Sequence, residues 1–505
     1  MRVVLAGYNV DSEVIAELKR NSPPRDDVTP ETLSASYARI SRDPRPADEL
    51  RAAARQEVER ARRSNQSIIF KMGHHSVAEH AVFNFDIIGI SRLALEEVEK
   101  FRLCSYTEKS QRYIKLGDDF VIPEEVRRAG LERVFLKTIR GQNAFYHELY
   151  DMLRPHLFNK YKELAANPKN HPALEGWAQE DARYAVSLAT QGQVGLTANA
   201  RNLELLVRRF AAKDLAEVRE LGSRVAALAR EVAPSIILFV EATDFDARTG
   251  RELEESVRSL GVEKGKTGVK TASRPGKGEE PVILAEATLD GDDRIVAALL
   301  HSSTAMSYEH CLKRTRWLSP ADKARVVKAA LGYMEFHDFP PREFEYADLT
   351  FSLILSASCF AQLKRHRMAT LTAQDYDPTL GATVPPSVES VGAGSEFKTL
   401  IARTNETYAA LRPKAGAAAA YVLTNAHRRR ALLKVNVREL YHISRLREDP
   451  SAQWEIREIV GRMSALARKA MPLSCLLLGG KEDYPAIYRK IFGVDPKSRP
   501  PGYLK

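Results

Sequence analysis

Cysteine is scarce in this chain: there are four in 505 residues, Cys104, Cys311, Cys359 and Cys475, with no CxxC pair and no close spacing. That excludes a zinc knuckle and a disulfide framework, and it leads us to expect reduced, mostly buried thiols in a cytoplasmic protein. Long apolar runs are missing as well. No segment reaches the ~18 uninterrupted apolar residues of a membrane span. The opening MRVVLAGYNVDSE has too short an apolar stretch and too early an acid for a signal peptide. A soluble protein with no membrane partner is expected. Basic residues do not interleave with aromatics in the manner of a nucleic-acid reader, so nucleic acid is not expected as a partner, although "RHRM" and "AHRRRALLK" keep that rival in view. A metal order is lacking too. His74, His75, Glu79 and His80 crowd together in "KMGHHSVAEHAVF" but form neither HExxH nor HxxEH, so no metal is expected.

What is present is an ordinary globular composition, 44% hydrophobic and 28% charged, in a chain long enough for two or three domains. The net charge of +10 permits an anionic ligand of any size without selecting one. Residues 261–281, GVEKGKTGVKTASRPGKGEEP, are rich in Gly, Lys and Pro and read as an exposed linker. On either side the sequence repeats itself in order. Val3-Val4-Leu5-Ala6 matches Val282-Ile283-Leu284-Ala285. "FNFDIIGISRLALEEVEKFR" at 83–102 matches "LTFSLILSASCFAQLKRHR" at 349–367, and "NARNLELLVRRF" at 199–210 matches "NVRELYHISRLR" at 436–447. A long-period repeat present twice predicts two similar domains, 1–260 and 282–505, each mixing strands with long helices in an α+β (mixed α/β) fold.

The repeat carries a divided motif. The second copy holds the basic cluster Arg365-His366-Arg367 with Gln362 three residues earlier on the same helix face, but has Ala373, Asp375 and Asp377 further on. The first copy has Lys100-Phe101-Arg102 in the basic place, then Ser105, Thr107, Glu108, Ser110, Arg112 and Tyr113. Arg183 stands sixteen residues before Asn199, whereas the same count back from Asn436 reaches Ala420. "RLREDPSAQWEIRE" supplies Arg447, Gln453 and Glu455 in the second copy, and Phe210 takes the Arg447 place in the first. Asp at two positions of the second copy would repel an anion there.

Put together, the two stretches resemble the signature of the flavin-dependent thymidylate synthase family: Arg-His-Arg, two residues, Ser, any, Asn-Glu, any, Ser, any, Arg-Tyr. The resemblance covers nearly the whole of each half and implies a tandem-duplicated form of that family. Sites in the family form between protomers of a tetramer, and the retained residues divide along such a seam. The resemblance implies conversion of dUMP to dTMP with FAD as cofactor and methylenetetrahydrofolate and NADPH as co-substrates, at a site composed from both copies. It also implies a homodimer of the tandem chain that mimics the tetramer. For dUMP it implies Gln362, Arg365, Glu108, Ser110, Arg112 and Arg183, with Arg447 as the catalytic group at the pyrimidine. For FAD it implies Arg365, His366, Arg367, Glu108, Asn436, Arg438, His442 and Ser76. His442 stands where the family has Asn. The residue types suit this chemistry. The planar fork of Arg grips phosphate with two charge-assisted bonds, and a guanidinium at the ring stabilises the anion left when N3 loses its proton. No cysteine sits beside an evident base, so a thiolate nucleophile is not expected, and the hard step falls to the cofactor. Two plainer readings stand beside this one. Arg447 could pair on a helix surface with Glu448 or Asp449, and the departures at Lys100, Thr107 and His442 would suit a flavin- or nucleotide-binding relative that has lost thymidylate synthesis.

Overall fold

The computed structural model describes residues 1–18, 20, 28–40, 43–66, 69, 74–261 and 280–500. Most of the linker expected at 261–281 lies outside the described residues. Two four-stranded antiparallel sheets stand on either side of it. The first comprises β1 (Arg2–Tyr8), β2 (Val82–Ser91), β3 (Ser105–Glu108) and β4 (Gln191–Asn199) in the order β1-β2-β4-β3. The second comprises β5 (Val282–Ala287), β6 (Asp348–Ser356), β7 (Thr370–Ala373) and β8 (Arg428–Asn436) in the order β5-β6-β8-β7. The repeated order is the structural counterpart of the repeated sequence, and the fold is the mixed α/β class expected.

Alternation explains each central strand. Phe83, Phe85 and Ile87 of β2, and Leu349, Phe351, Leu353 and Leu355 of β6, all point to a buried face. Both central strands end on a serine that starts a helix. Ser91 Oγ accepts the Ala94 N–H at the head of α1 (Arg92–Val98), as Ser356 Oγ accepts the Cys359 N–H in the second half, each at 3.0 Å.

The first half continues with the long α2 (Glu132–Lys160) and with α3 (His171–Ala182). It closes its sheet with α4 (Ala200–Ala211) and α5 (Ala216–Val232). In the second half α6 (Ala357–Leu363) matches α1, the single long α7 (Gly394–Ala415) stands where the first half has α2 and α3, and α8 (Val437–Arg447) and α9 (Trp454–Ala470) match α4 and α5. Asn199 and Asn436 cap α4 and α8 alike, accepting the N–H of Asn202 and Glu439.

Each sheet has its own apolar core, and among the described residues three further cores draw on both halves. One joins Leu149, Leu153 and Tyr184 to Val388, Phe397 and Ala426; a second joins Phe135 and Ile139 to Leu411 and Tyr421; a small third joins Leu188 to Ala357, Tyr376 and Leu423. Backbone also crosses: Leu188 N donates to Leu423 O at 2.7 Å, and Asn425 N to Val186 O at 2.9 Å. Two buried tyrosines make the crossing reciprocal. Tyr184 donates to Glu455 at 2.5 Å and Tyr421 to Glu217 at 2.7 Å, and each carboxylate also accepts the capping serine of its own half. The halves are thereby related by an approximate twofold axis, and the candidate site is built where they meet.

Candidate active site at the seam between the halves

The seam brings Glu108, at the end of β3, against Arg365, just beyond α6. Arg365 Nη2 donates to Glu108 Oε2 at 2.9 Å, and Arg92 Nη1 takes the other oxygen at 2.8 Å. Burial alone would push the Glu108 carboxyl up. The charges of Arg92, Lys364 and Arg365 outweigh burial and hold it well below the usual carboxylate range. Glu108 is therefore an anion that orients two guanidinium groups. Lys364 is buried with it and pairs with Glu99 across the same seam at 2.7 Å.

Arg112 crosses in the other direction. Its Nε donates to Glu180 on α3 at 2.7 Å and its Nη2 to the Ser451 carbonyl of the second half at 3.0 Å, while Ser110 Oγ accepts the Arg112 backbone N–H. On the facing wall Arg447, the last residue of α8, donates from Nε to His366 Nε2 at 2.9 Å and from Nη2 to the Gln362 carbonyl at 3.1 Å. The helix-surface ion pair does not form in this way. Glu448 accepts from Ser444 and Ser464, and Asp449 from the Ser451 backbone and hydroxyl. Burial, with the like charges of Arg365 and Arg112, draws the Arg447 pKa down to about 10. Arg112 and Arg447, 335 positions apart in the numbering, thus stand close enough to repel one another.

Arg183 follows α3 in a 3-10 turn and is almost wholly buried, yet its Nε and Nη2 have no hydrogen-bond partner. Burial pulls its pKa down to about 10, with Tyr184 and Glu180 opposing and Arg112 and Arg92 assisting. Gln362 is buried too: its amide donates weakly to Ser358 O and Gln453 Oε1, and its own Oε1 is unpartnered. A buried guanidinium and a buried amide oxygen left unsatisfied at one seam are costly without a ligand. Together they offer donors for anionic or carbonyl oxygens and an acceptor for an N–H.

The residues expected at the flavin are more scattered. Arg365, with 48% of its side chain exposed, and Arg367 project at the surface. Arg367 donates to the Arg102 and Cys104 carbonyls of the first half, fixing the turn between α6 and β7. His366 is buried. His442 lies edge-on to it with ring centroids 5.5 Å apart. Asn436 uses its side chain as a helix cap, and Arg438 donates to Pro340 O and Glu345. Ser76 is exposed on the short 3-10 helix His75–His80, whose Glu79 pairs with Arg201, so it stands in the first half beside the mirror image of Arg438.

Sequence reasoning missed Arg92, which shares Glu108 with Arg365, and Glu180, which holds Arg112; it gave no role to Lys364, which pairs with Glu99. The sequence did carry a signal: Arg92 and Glu99 stand opposite Ala357 and Lys364 when the copies are superimposed, an asymmetry of buried charge at matched positions. All four cysteines are buried and unpaired.

The family described as "Thymidylate synthase complementing protein" matches twice, over residues 26–235 and 284–473. The chain belongs to that family, with one match in each half. A "Flavin-dependent thymidylate synthase" of Clostridium tetani is 29% identical over 213 residues, 42% of this chain and 82% of that relative. A "UPF0159 protein" of Chlamydia muridarum is 23% identical over 424 residues, covering 80% of this chain and 78% of its own length, so it has comparable size. Among solved structures, the flavin-dependent thymidylate synthase of Helicobacter pylori, complexed with FAD and dUMP, aligns with 47% of this chain and all of its own at 15% identity and a TM-score of 0.30.

Proposed function

We propose that this protein methylates dUMP to dTMP in a flavin-dependent reaction, using methylenetetrahydrofolate as carbon donor and NADPH as reductant, at the seam between its halves. The observation that carries this reading is the unsatisfied pair Arg183 and Gln362, flanked by Arg112, Arg365 and Arg447. Uridylate presents a phosphate dianion, two ring carbonyls and an imide N–H, which match those donors and that acceptor. Arg112, with Ser110 and Arg365, binds the phosphate side. Arg183 donates to a ring oxygen of bound dUMP, and Arg447 stabilises the negative charge that develops when N3 is deprotonated, which raises electron density at C5. While N3 still carries its proton, Gln362 Oε1 accepts a hydrogen bond from the imide N–H and sets the ring's orientation.

A flavin bound here would supply the hydride. The surface arginines Arg365 and Arg367 suit its diphosphate, and His366 lies between them. Glu108, Asn436, Arg438, His442 and Ser76 are the remaining candidates, of which Glu108, Asn436 and Arg438 are already hydrogen-bonded within the chain. A thiolate route has no support from the cysteines: burial pushes the Cys104, Cys359 and Cys475 thiols up, away from the nucleophilic form. The tandem chain is proposed to pair with a second copy, so that two such seams form per dimer. Among the described residues no helix is long and apolar enough to cross a membrane.

Rescue of a thymidine auxotroph tests the reading. Growth without thymidine on expression of this chain is the expected result. Soluble expression without growth, from a protein that still binds flavin, would replace it with a binding relative that has lost the reaction.

A further inference from the structure

We infer that Glu439 is a positioning residue for Arg447, acting through the buried imidazole of His366; the inference rests on the reading of the seam as the thymidylate-forming site. An arginine Nε–H can only donate, so the 2.9 Å contact to His366 Nε2 requires a lone pair there. Burial, together with the charges of Arg447, His442 and Arg365, holds His366 far below its ordinary pKa and so neutral. A neutral imidazole with a bare Nε2 carries its proton on Nδ1. That nitrogen is buried and has no hydrogen-bond partner, and the carboxylate facing it is Glu439 Oε1 at 3.7 Å.

Glu439 sits in the first turn of α8, three residues after the cap Asn436, and Arg447 is the last residue of the same helix. One helix therefore supplies both ends of a three-membered chain: carboxylate, imidazole, guanidinium. The negative end favours the Nδ1–H tautomer. The opposite tautomer would set an Nε2–H against the Arg447 Nε–H and turn the guanidinium away from the seam. In the first half Phe101 and Phe210 hold the matched positions, so the chain of polar groups exists on the retained side alone.

His366, Glu439 and His442 also bring three ligand atoms within 4.8 Å of one another, a spacing open to a divalent ion. An ion on Nδ1 would need the proton moved to Nε2, which Arg447 forbids, so the proton occupies that place instead.

The test uses the full chain in two measurements. Glu439→Met removes the acceptor at similar volume and is expected to lower kcat for dUMP methylation by about tenfold to a hundredfold, with KM changed less than about threefold. Glu439→Gln, which keeps an acceptor oxygen, is expected to stay within about threefold of the parent in kcat. Nitrogen-15 spectra of histidine-labelled protein are expected to show His366 protonated at Nδ1 in the parent and in Glu439→Gln, and a population protonated at Nε2 in Glu439→Met. An unchanged tautomer with unchanged kcat in Glu439→Met would overturn the inference. So would Nε2 protonation in the parent, or stoichiometric Zn2+ binding lost on the Met substitution. The spectra need no substrate: a parent that makes no dTMP while His366 behaves as stated removes the assigned reaction and leaves the positioning intact.

Discussion

The rings of Phe101 and Phe210 meet edge to face with centroids 5.7 Å apart, at the place that mirrors His366 and Arg447. An apolar contact thus stands on one side of the twofold axis where a polar one stands on the other. The rest of that second seam is closed by polar groups that satisfy one another. Tyr376 donates to Glu96 at 2.6 Å, Arg429 pairs with Glu96 at 2.9 Å, and the Arg429 guanidinium lies 4.2 Å from the Tyr376 ring centroid. Ala420 takes the Arg183 place, and Asp377 caps a turn by accepting the Thr379 N–H at 2.8 Å. The duplicated protein keeps the seam whose arginines converge and packs the other as core.

Substitution in the packed seam should therefore affect stability and leave the chemistry alone. Phe210 is 1% exposed, and Phe210→Ala should cost about 3–5 kcal/mol, the usual range for emptying a buried aromatic site. The folded fraction should keep its kcat. Lys100, on the surface and paired with Glu97 three residues back, is the neutral comparison: Lys100→Ala should shift neither denaturation midpoint nor turnover by a measurable amount. A loss of kcat in either variant equal to that of Arg447→Ala would show that both seams work.

In the retained seam the prediction reverses. Arg447→Ala and Arg112→Ala should each reduce turnover to background, with different signatures in binding. Arg112 is proposed at the phosphate, so its loss should weaken dUMP binding measured by calorimetry. Arg447 acts on charge that appears only as the reaction proceeds, so its loss should leave dUMP binding within a few-fold while abolishing kcat. Equal loss of affinity in both would place both at the phosphate.

How much of this was readable from sequence depends on how local each signal is. The two sheets were legible because Phe83-x-Phe85-x-Ile87 and Leu349-x-Phe351-x-Leu353 alternate with period two. Divided retention of Glu108, Ser110 and Arg112 against Gln362, Arg365 and Arg447 was legible because the residue types at matched positions differ. The cores shared by both halves were not, since Tyr184 with Ala426 and Phe135 with Tyr421 are contacts between segments more than 200 residues apart that no pattern within either segment encodes. Asn436 shows the opposite difficulty. An Asn just before an amphipathic run is a helix cap on local grounds, and Asn436 Oδ1 does accept the Glu439 N–H, a use that the flavin motif does not state.

Asp181 gives a prediction from charge. Its carboxyl is buried beside Glu180 and accepts from Ser387 Oγ at 2.5 Å and Trp454 Nε1 at 2.8 Å, both in the second half. Burial raises its pKa to about 7, with the Glu180 charge adding to the rise and Ser387 and Trp454 opposing it. A folded-state pKa above the unfolded value of 3.8 means that the native state binds more protons in between. Stability from this group is accordingly greatest below about pH 4 and falls as pH rises towards 7. Asp181→Asn keeps an acceptor oxygen for Trp454 Nε1 and presents an N–H to the Ser387 hydroxyl, without the ionisation. Denaturant midpoints measured from pH 4.5 to 7.5 should fall with pH less steeply in Asp181→Asn than in the parent. Parallel curves would mean that Asp181 titrates normally.

Arg183 separates binding from stability most sharply. Its guanidinium is buried with Nε and Nη2 unpartnered, and an uncompensated buried charge weakens a fold by several kcal/mol in typical cases. A protein retains such a group against that cost when a ligand supplies the missing partner. Arg183→Met, which fills similar volume without charge, should raise the denaturation midpoint of the ligand-free protein by the equivalent of about 1–4 kcal/mol. It should also weaken dUMP binding by at least about tenfold, the loss of one charge-assisted hydrogen bond or more. The added stability should shrink as dUMP is titrated in, because only the parent gains from the ligand. If Arg183→Met is less stable than the parent without ligand and binds dUMP equally well, the buried arginine is structural, and the nucleotide belongs elsewhere on the seam.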